Sequence, residues 1–334
     1  MTSTYRRMLL ASRPEGLVTS ANLNLDDSAA IPSPGAGEAL VKVHYLSIDP
    51  TIRGWMNDAP GYLPPIGLGE VIRSGGVGEV VESNNVDVPA GSMVFGMLGW
   101  QEYVIMTADA PFTVVPDGVD PTWVLSVFGI TGLTAYFGLL DIGQPKVGDT
   151  VVVSGAAGAT GSVVGQIARL SGASRVVGIA GSDEKCAWLT DELGFDAAIN
   201  YRKQNVMAAL GETCPDGIDV FFDNVGGEIL DAALAHLAMK ARVVICGAIS
   251  QYNSDTPEGP KNYLALIMKR ARMEGFLVLD YLDRFPEAQL KMFEWVLSGS
   301  IKHKEHVVEG LEHAGDALNL LFSGENDGKV IVKI

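Results

Sequence analysis

The chain has few residues that could hold a metal or form a disulfide. Its 334 residues include three cysteines, Cys186, Cys214 and Cys246, and five histidines, His44, His236, His303, His306 and His313. The cysteines are far apart and no CxxC pair occurs, which argues against a zinc ribbon or a disulfide framework and for a reducing, cytoplasmic setting. Only His303 and His306 are close together, and Lys302 and Lys304 beside them mark a solvated face. Neither HExxH, GxSxG nor YxxxK is present, which removes the zincin, serine-hydrolase and short-chain-reductase readings. Positive charge is also scarce. Lys and Arg number 24 against 40 Asp and Glu, for a net charge of −16. A nucleic-acid binder needs a basic face for phosphates, and an anionic membrane repels such a chain. A local basic pocket is still allowed. Long apolar runs are almost absent. The one charge-free stretch, Trp123 to Leu140, holds three glycines and several hydroxyl residues; it reads as a buried helix and turn rather than a membrane span. Met8 to Ala11 is too short for a signal-peptide core.

What is present is a core and a change of pattern. Hydrophobic residues make up 47% of the chain and glycines number 39. The first third is β-rich: Ala39–Tyr45, Gly76–Glu82 and Ser92–Phe95 have strand character and are separated by glycine and proline turns. From Thr150 strands and helices alternate. Strands are expected at Val151–Val153, Arg175–Ala180, Ala197–Ile199, Ile218–Phe222, Arg242–Cys246 and Gly275–Leu279, with helices between them, including Asp183–Leu193 and Pro286–Leu297. Six buried strands with helical crossovers predict a doubly wound parallel sheet. His306–Val308 and Lys329–Val332 look like strands that rejoin the first domain. The expected division is a β-rich domain over 1–124, a dinucleotide domain over 125–299 and a C-terminal return over 300–334.

Ser154-Gly-Ala-Ala-Gly-Ala-Thr-Gly161 follows a strand and opens a helix. Gly155, Gly158 and Gly161 would let the backbone approach a pyrophosphate at a helix N-terminus, where free N–H groups and positive potential favour an anion. The spacing is GxxGxxG rather than GxGxxG, so the flanking βα units must carry part of the argument. The second strand ends Ile179-Ala180-Gly181-Ser182 with no acid at its tip to bond a ribose 2′-hydroxyl. Lys185 follows in the first helical turn, where a cation opposes the helix dipole. Either it is a solvated lysine or it meets a 2′-phosphate; the pattern favours NADP over NAD.

Taken together, these residues resemble the zinc-independent medium-chain dehydrogenases/reductases, in the branch of leukotriene B4 12-hydroxydehydrogenase, prostaglandin reductase and the 2-alkenal reductases. The resemblance runs through Leu46-Ser-Ile-Asp-Pro50 with Arg53, Thr131-Gly-Leu-Thr-Ala-Tyr-Phe-Gly138, the glycine loop, Gly181-Ser-Asp-Glu-Lys185, Phe222-Asp-Asn-Val-Gly-Gly227 and Cys246-Gly-Ala-Ile-Ser-Gln-Tyr-Asn253. It implies a Rossmann sheet inserted in a GroES-like β domain, no metal, and NADP(H) as cofactor. It implies that Gly158, Ala159, Thr160, Gly161 and Ser162 hold the pyrophosphate, and that Lys185 and Tyr201 meet the 2′-phosphate. Asn224, Cys246, Gly247, Ala248, Ile249, Ser250 and Tyr252 would line the cofactor cleft. Phe276, Leu277 and Val278 would flank the nicotinamide, and Asn326 would reach in from the C-terminal segment. The implied reaction is conjugate reduction of an α,β-unsaturated ketone or aldehyde in a cytoplasmic homodimer. Tyr252 would either polarise the carbonyl or only pack on the cofactor. Arg53 would either steer an acidic substrate or form a structural ion pair, and Cys246 is a cleft or core residue rather than a nucleophile. Oxidation of a secondary alcohol or reduction of a quinone at the same site is a second reading, and a non-catalytic NADPH-binding protein a third. The chain departs from the family at Thr51, where an aromatic is usual, at Trp55, where a base is usual, and at Asp327 beside Asn326.

Overall fold

The computed structural model describes residues 3–107, 109–254 and 256–334. The chain forms two compact units, Met1–Leu125 with Glu305–Ile334, and Ser126–Lys304. In the first, β1 (Thr4–Leu10) and β2 (Leu23–Ala30) form an antiparallel pair. They precede β3 (Ala39–Ser47), the short helix α1 (Thr51–Trp55), β4 (Gly76–Ser83), β5 (Met93–Gly96), β6 (Tyr103–Met106), β7 (Phe112–Val114) and α2 (Pro121–Leu125). The inner positions of β3, including Val41, Val43 and Leu46, pack with Trp100 in a closed apolar core. Burying each such side chain contributes roughly 1.5–3 kcal/mol.

The second unit opens with α3 (Ile130–Phe137) and a π-helical turn over Gly138–Gly143. Among the described residues no helix is long and apolar enough to cross a membrane. There follow β8 (Thr150–Ser154), α4 (Ala159–Leu170), β9 (Arg175–Ala180), α5 (Asp183–Asp191), β10 (Ala197–Asn200), α6 (Val206–Thr213), β11 (Ile218–Asp223), α7 (Gly227–Ala235), β12 (Leu237–Ile245), α8 (Ala265–Lys269), β13 (Arg272–Gly275) and α9 (Phe285–Leu297). The sheet order is β10-β9-β8-β11-β12-β13, all parallel. Every residue of β8 is buried, because helices cover both faces of a central parallel strand. The order in which strands are added reverses between β8 and β11, so the carboxyl ends of these two strands flank the crevice where such sheets bind ligands.

The chain then returns to the first unit. β14 (Glu305–Glu309) pairs with β15 (Lys329–Lys333), which pairs antiparallel with β3, and α10 (Ala314–Ser323) lies between them in sequence.

One expected element is corrected. The sixth strand lies at Arg272–Gly275, not Gly275–Leu279, and all four of its residues are exposed. It is an edge strand held by β12 on one side, so its side chains need not be apolar. The apolar run that reads as a strand turns into the core at Phe276 and then winds into a 3-10 segment, Val278–Arg284. Phe276 meets Phe222 edge-on, with ring centroids 6.5 Å apart.

Candidate active site

The switch point is stapled by hydrogen bonds between the ends of β8 and β11. Ser154 Oγ donates to Asp223 Oδ1 at 2.7 Å. The Asn224 main-chain N–H donates to Ser154 Oγ at 2.8 Å, and its side-chain amide donates to the Ser154 carbonyl at 2.7 Å. Asp223 also accepts from the main-chain N–H groups of Val225 at 3.0 Å and Gly226 at 3.1 Å. Its side chain is fully buried, and desolvation raises its pKa above the usual carboxylate value despite these donors. Asp223 lies inside a motif singled out from sequence, but its function as the staple shows only once β8 and β11 are side by side.

The loop that leaves β8 fits a dinucleotide phosphate. Gly155 has φ +58°, and Gly158 caps α4. A methyl group at Gly161 would lie 2.4 Å from the Gly155 carbonyl oxygen and 2.8 Å from Ala156 Cα. Only hydrogen is tolerated there, so the loop folds tightly over the first turn of α4. The first-turn N–H groups of a helix have no partner within it, and the dipole adds positive potential. Ala159, Thr160 and Gly161 occupy that turn, and Ser162 closes it by donating its N–H to the Gly158 carbonyl at 3.0 Å.

The carboxyl ends of β9 and β10 gather cations. Gly181 lies under Tyr201: a Cβ there would come 3.0 Å from the phenol oxygen. Arg202 sits 5.9 Å from the Tyr201 ring centre. Ser182 caps α5 by accepting from the Lys185 main-chain N–H at 3.2 Å. Asp183, the nearest acid, is bound by Asn200 Nδ2 at 2.6 Å and by the Lys203 ammonium. Lys203 and then Asn200 hold its carboxyl below the usual range. An acid held in this way is drawn toward β10 by its partners. Lys185 and Tyr201 are the residues to which the sequence points here, and Arg202 and Lys203, a basic pair directly after the tyrosine, stand beside them.

Asn224 and the 246–252 loop also converge. The Ile249 N–H donates to the Asn224 carbonyl at 3.2 Å, and Ser250 donates to the Val225 carbonyl through both its N–H, at 3.1 Å, and its hydroxyl, at 2.6 Å. Cys246 N–H and Gly247 N–H donate to the Asp223 carbonyl at 2.9 and 3.1 Å. The Cys246 thiol is pushed up to about 12, by burial first and by Asp223 second, which suits a packing residue and not a nucleophile. Tyr252 ends a 3-10 turn and folds back, so that its hydroxyl oxygen accepts the Ala248 N–H at 3.1 Å. Leu277 is partly exposed beyond β13, with Val278 next to it, and Phe276 packs its ring against Phe222 and Gly138.

In the first unit, Asn326 is buried and donates to the Gly328 carbonyl at 2.9 Å. Arg53 is also buried and donates to the carbonyls of Pro14 and Gly16, each at 2.8 Å, so it braces a loop from inside. On the loop after β3, Trp55 and Tyr62 meet edge-on at 6.2 Å, Arg73 lies 5.7 Å from the Trp55 ring, and Thr51 is hydrogen-bonded to Tyr62. Among the described residues no group of three or more His, Cys, Asp or Glu side chains is placed to hold a metal.

Comparison with known proteins gives two matching family models. Residues 6–114 match the N-terminal domain of an oxidoreductase family, and residues 159–295 match the zinc-binding dehydrogenase family. The chain is similar to the NADPH-dependent curcumin reductase of Escherichia coli, with 43% identity over 98% of this chain and 96% of that one. It is similar to the NADP-dependent 2-alkenal reductase of Nicotiana tabacum, with 42% identity over 90% and 88%. The crystal structure of CurA from Vibrio vulnificus in complex with NADPH superposes with a TM-score of 0.93 at 44% identity, covering 98% of both chains.

Proposed function

The chain belongs to the medium-chain dehydrogenase/reductase family, in the branch of the curcumin, 2-alkenal and prostaglandin reductases, and from that premise we infer that it catalyses NADPH-dependent reduction of carbon–carbon double bonds conjugated to a carbonyl. The observation that carries this reading is the phosphate loop at the switch point, together with the cationic group around Tyr201. NADPH, when bound, supplies the hydride that reaches the β-carbon of the substrate.

The chain's own residues do the rest. First-turn N–H groups of α4, from Ala159 to Gly161, would hold the pyrophosphate, with the Ser162 hydroxyl at the end of that turn. Lys185, Tyr201 and Arg202 would hold the 2′-phosphate, while Lys203 pairs with Asp183 and reduces the opposition of that acid. As hydride adds to the β-carbon, the C=C electrons shift and negative charge gathers on the carbonyl oxygen. A donor aimed at that oxygen lowers the barrier. Tyr252 fits this role because its oxygen already accepts from Ala248, which orients the phenol. The α-carbon then takes a proton from solvent or from the phenol.

The test is NADPH oxidation against enones, enals, quinones and alcohols, with NADH in parallel. Turnover of enones with NADPH preferred is expected; tight NADPH binding without turnover of any of them would favour a binding protein. In Tyr252→Phe, kcat should fall about 100–1,000-fold at nearly unchanged NADPH affinity, the range for loss of one oxyanion donor. Undiminished kcat would leave Tyr252 a packing residue.

We also assign a homodimer. Tyr263, Leu264, Ile267 and Met268 are 55–71% exposed, and β13 nearby in sequence is an open sheet edge. Such an apolar patch beside an unpaired edge is a site for a partner. Sedimentation at micromolar concentration should give twice the 35.4 kDa chain mass, and a monomer would remove this assignment.

A further inference from the structure

Asp183 opens α5, and its neighbours hold it to one side. β9 ends at Ala180, in parallel register with Asn200, the last residue of β10. Asp183 is the first acid after β9 and stands 22 residues beyond Gly161. Dinucleotide folds that take NAD carry, about 20 residues past the glycine loop, an acid that accepts the ribose 2′-hydroxyl. Here the acid near that place is committed elsewhere. Asn200 is only 5% exposed; its Nδ2 donates to Asp183 Oδ1 at 2.6 Å, and its Oδ1 accepts the Arg202 N–H at 3.1 Å. The other Asp183 oxygen accepts from the Lys203 ammonium. Lys203 is placed by the turn after β10, where its N–H and that of Gln204 donate to the Asn200 carbonyl at 3.0 and 2.9 Å.

Stability alone explains this poorly. The side chains of Lys203 and Asp183 are 66% and 59% exposed, and ion pairs that exposed contribute little. Pairing also leaves the acid charged: Lys203 and then Asn200 lower the Asp183 pKa, and Asp183 raises that of Lys203. The arrangement therefore fixes where the anion lies, not whether it is one. A buried amide with both ends committed is more than a surface ion pair needs. We propose that Asn200 and Lys203 are positioning residues for cofactor choice. By holding Asp183 against the end of β10, they deny NADH an acceptor for its 2′-hydroxyl and keep a carboxylate from facing the 2′-phosphate of NADPH. This rests on the reading that Lys185, Tyr201 and Arg202 meet that phosphate.

The test titrates NADPH and NADH separately into the full chain as wild type, as Lys203→Met, and as Lys203→Met with Asp183→Ala. Lys203→Met takes from Asp183 its cation. It should weaken NADPH binding by at least about threefold and tighten NADH binding by at least about threefold, the size of one exposed charge interaction. Adding Asp183→Ala should abolish the NADH gain. A lysine that touches the phosphate directly would weaken NADPH and leave NADH alone. A purely structural pair would move both cofactors together or neither. Either result overturns the clamp. Because Asn200 still bonds Asp183 in Lys203→Met, Lys203→Glu is measured beside it, again with and without Asp183→Ala, so that repulsion drives Asp183 from β10. If neither substitution raises NADH affinity through Asp183, the proposal is overturned. Lys185→Met and Arg202→Met test the underlying reading: unchanged NADPH affinity in both would place the 2′-phosphate elsewhere. That result is separate from the NADH affinities of the Lys203 variants, which alone decide the clamp.

Discussion

Gly161→Ala should weaken NADPH binding by at least about 100-fold, or about 2.7 kcal/mol. Intrinsic helix propensity pulls the other way, since alanine is favoured over glycine by about 1 kcal/mol inside a helix. The steric effect is larger. The new methyl would sit 2.4 Å from the Gly155 carbonyl oxygen and 2.8 Å from Ala156 Cα, both backbone atoms that cannot rotate aside. The loop must lift away from α4, and the first-turn N–H groups then no longer converge on the pyrophosphate. Gly158→Ala is the internal control. Its methyl would approach the Gly155 oxygen only to 3.2 Å, so a much smaller loss is expected. Calorimetric titration with NADPH checks both. Equal affinities for wild type and Gly161→Ala would move the cofactor away from this loop.

The second large effect is expected at Asp223. Alanine there leaves the Ser154 hydroxyl and the Val225 and Gly226 N–H groups without their acceptor. At about 1–3 kcal/mol for each of these three groups left unsatisfied, the total is roughly 3–9 kcal/mol. That is a large part of the ~5–15 kcal/mol that keeps a typical domain folded. Asp223→Ala should therefore lower the urea midpoint sharply and lose NADPH binding with it; a variant of wild-type stability would show that the staple is dispensable. Asp223→Asn separates charge from hydrogen bonding. The native carboxyl pKa is raised above its ordinary 3.8, so the folded state keeps a proton that the unfolded chain has released. Stability from this group is therefore highest at acid pH and falls as pH rises from about the ordinary carboxylate value through the raised one. The asparagine variant lacks that titration. Relative to it, the wild type should lose stability with rising pH across this window and run parallel above it. Parallel profiles throughout would mean that Asp223 is not desolvated as the structure shows it.

The sequence alone carried the parts of this protein that depend on local pattern. The βα alternation from Thr150, the glycine loop and the absence of an acid at Gly181 follow from periodicity, backbone freedom and charge, all properties of neighbouring residues. The same is true of the return of Lys329–Val332 to a β-rich first unit, since a short apolar strand after a helix must find a sheet. Where the pattern misled, the cause was position in the sheet. Arg272–Gly275 forms a strand with no apolar face because it lies at an edge, and Phe276 looks like strand because its ring enters the core.

Only the tertiary structure decided the partners of Asp223, Lys203 and Lys329. Asp223 becomes a staple because β8 and β11, 69 residues apart at Ser154, are neighbours in the sheet. Lys203 meets Asp183 because β9 and β10 end side by side. Lys329 reaches Asp49 across 280 residues because β15 returns to β3. Each of these is a charged or polar group whose partner is chosen by strand order. Strand order is set by how whole helices and strands bury their apolar faces together, and no local window of sequence contains that information.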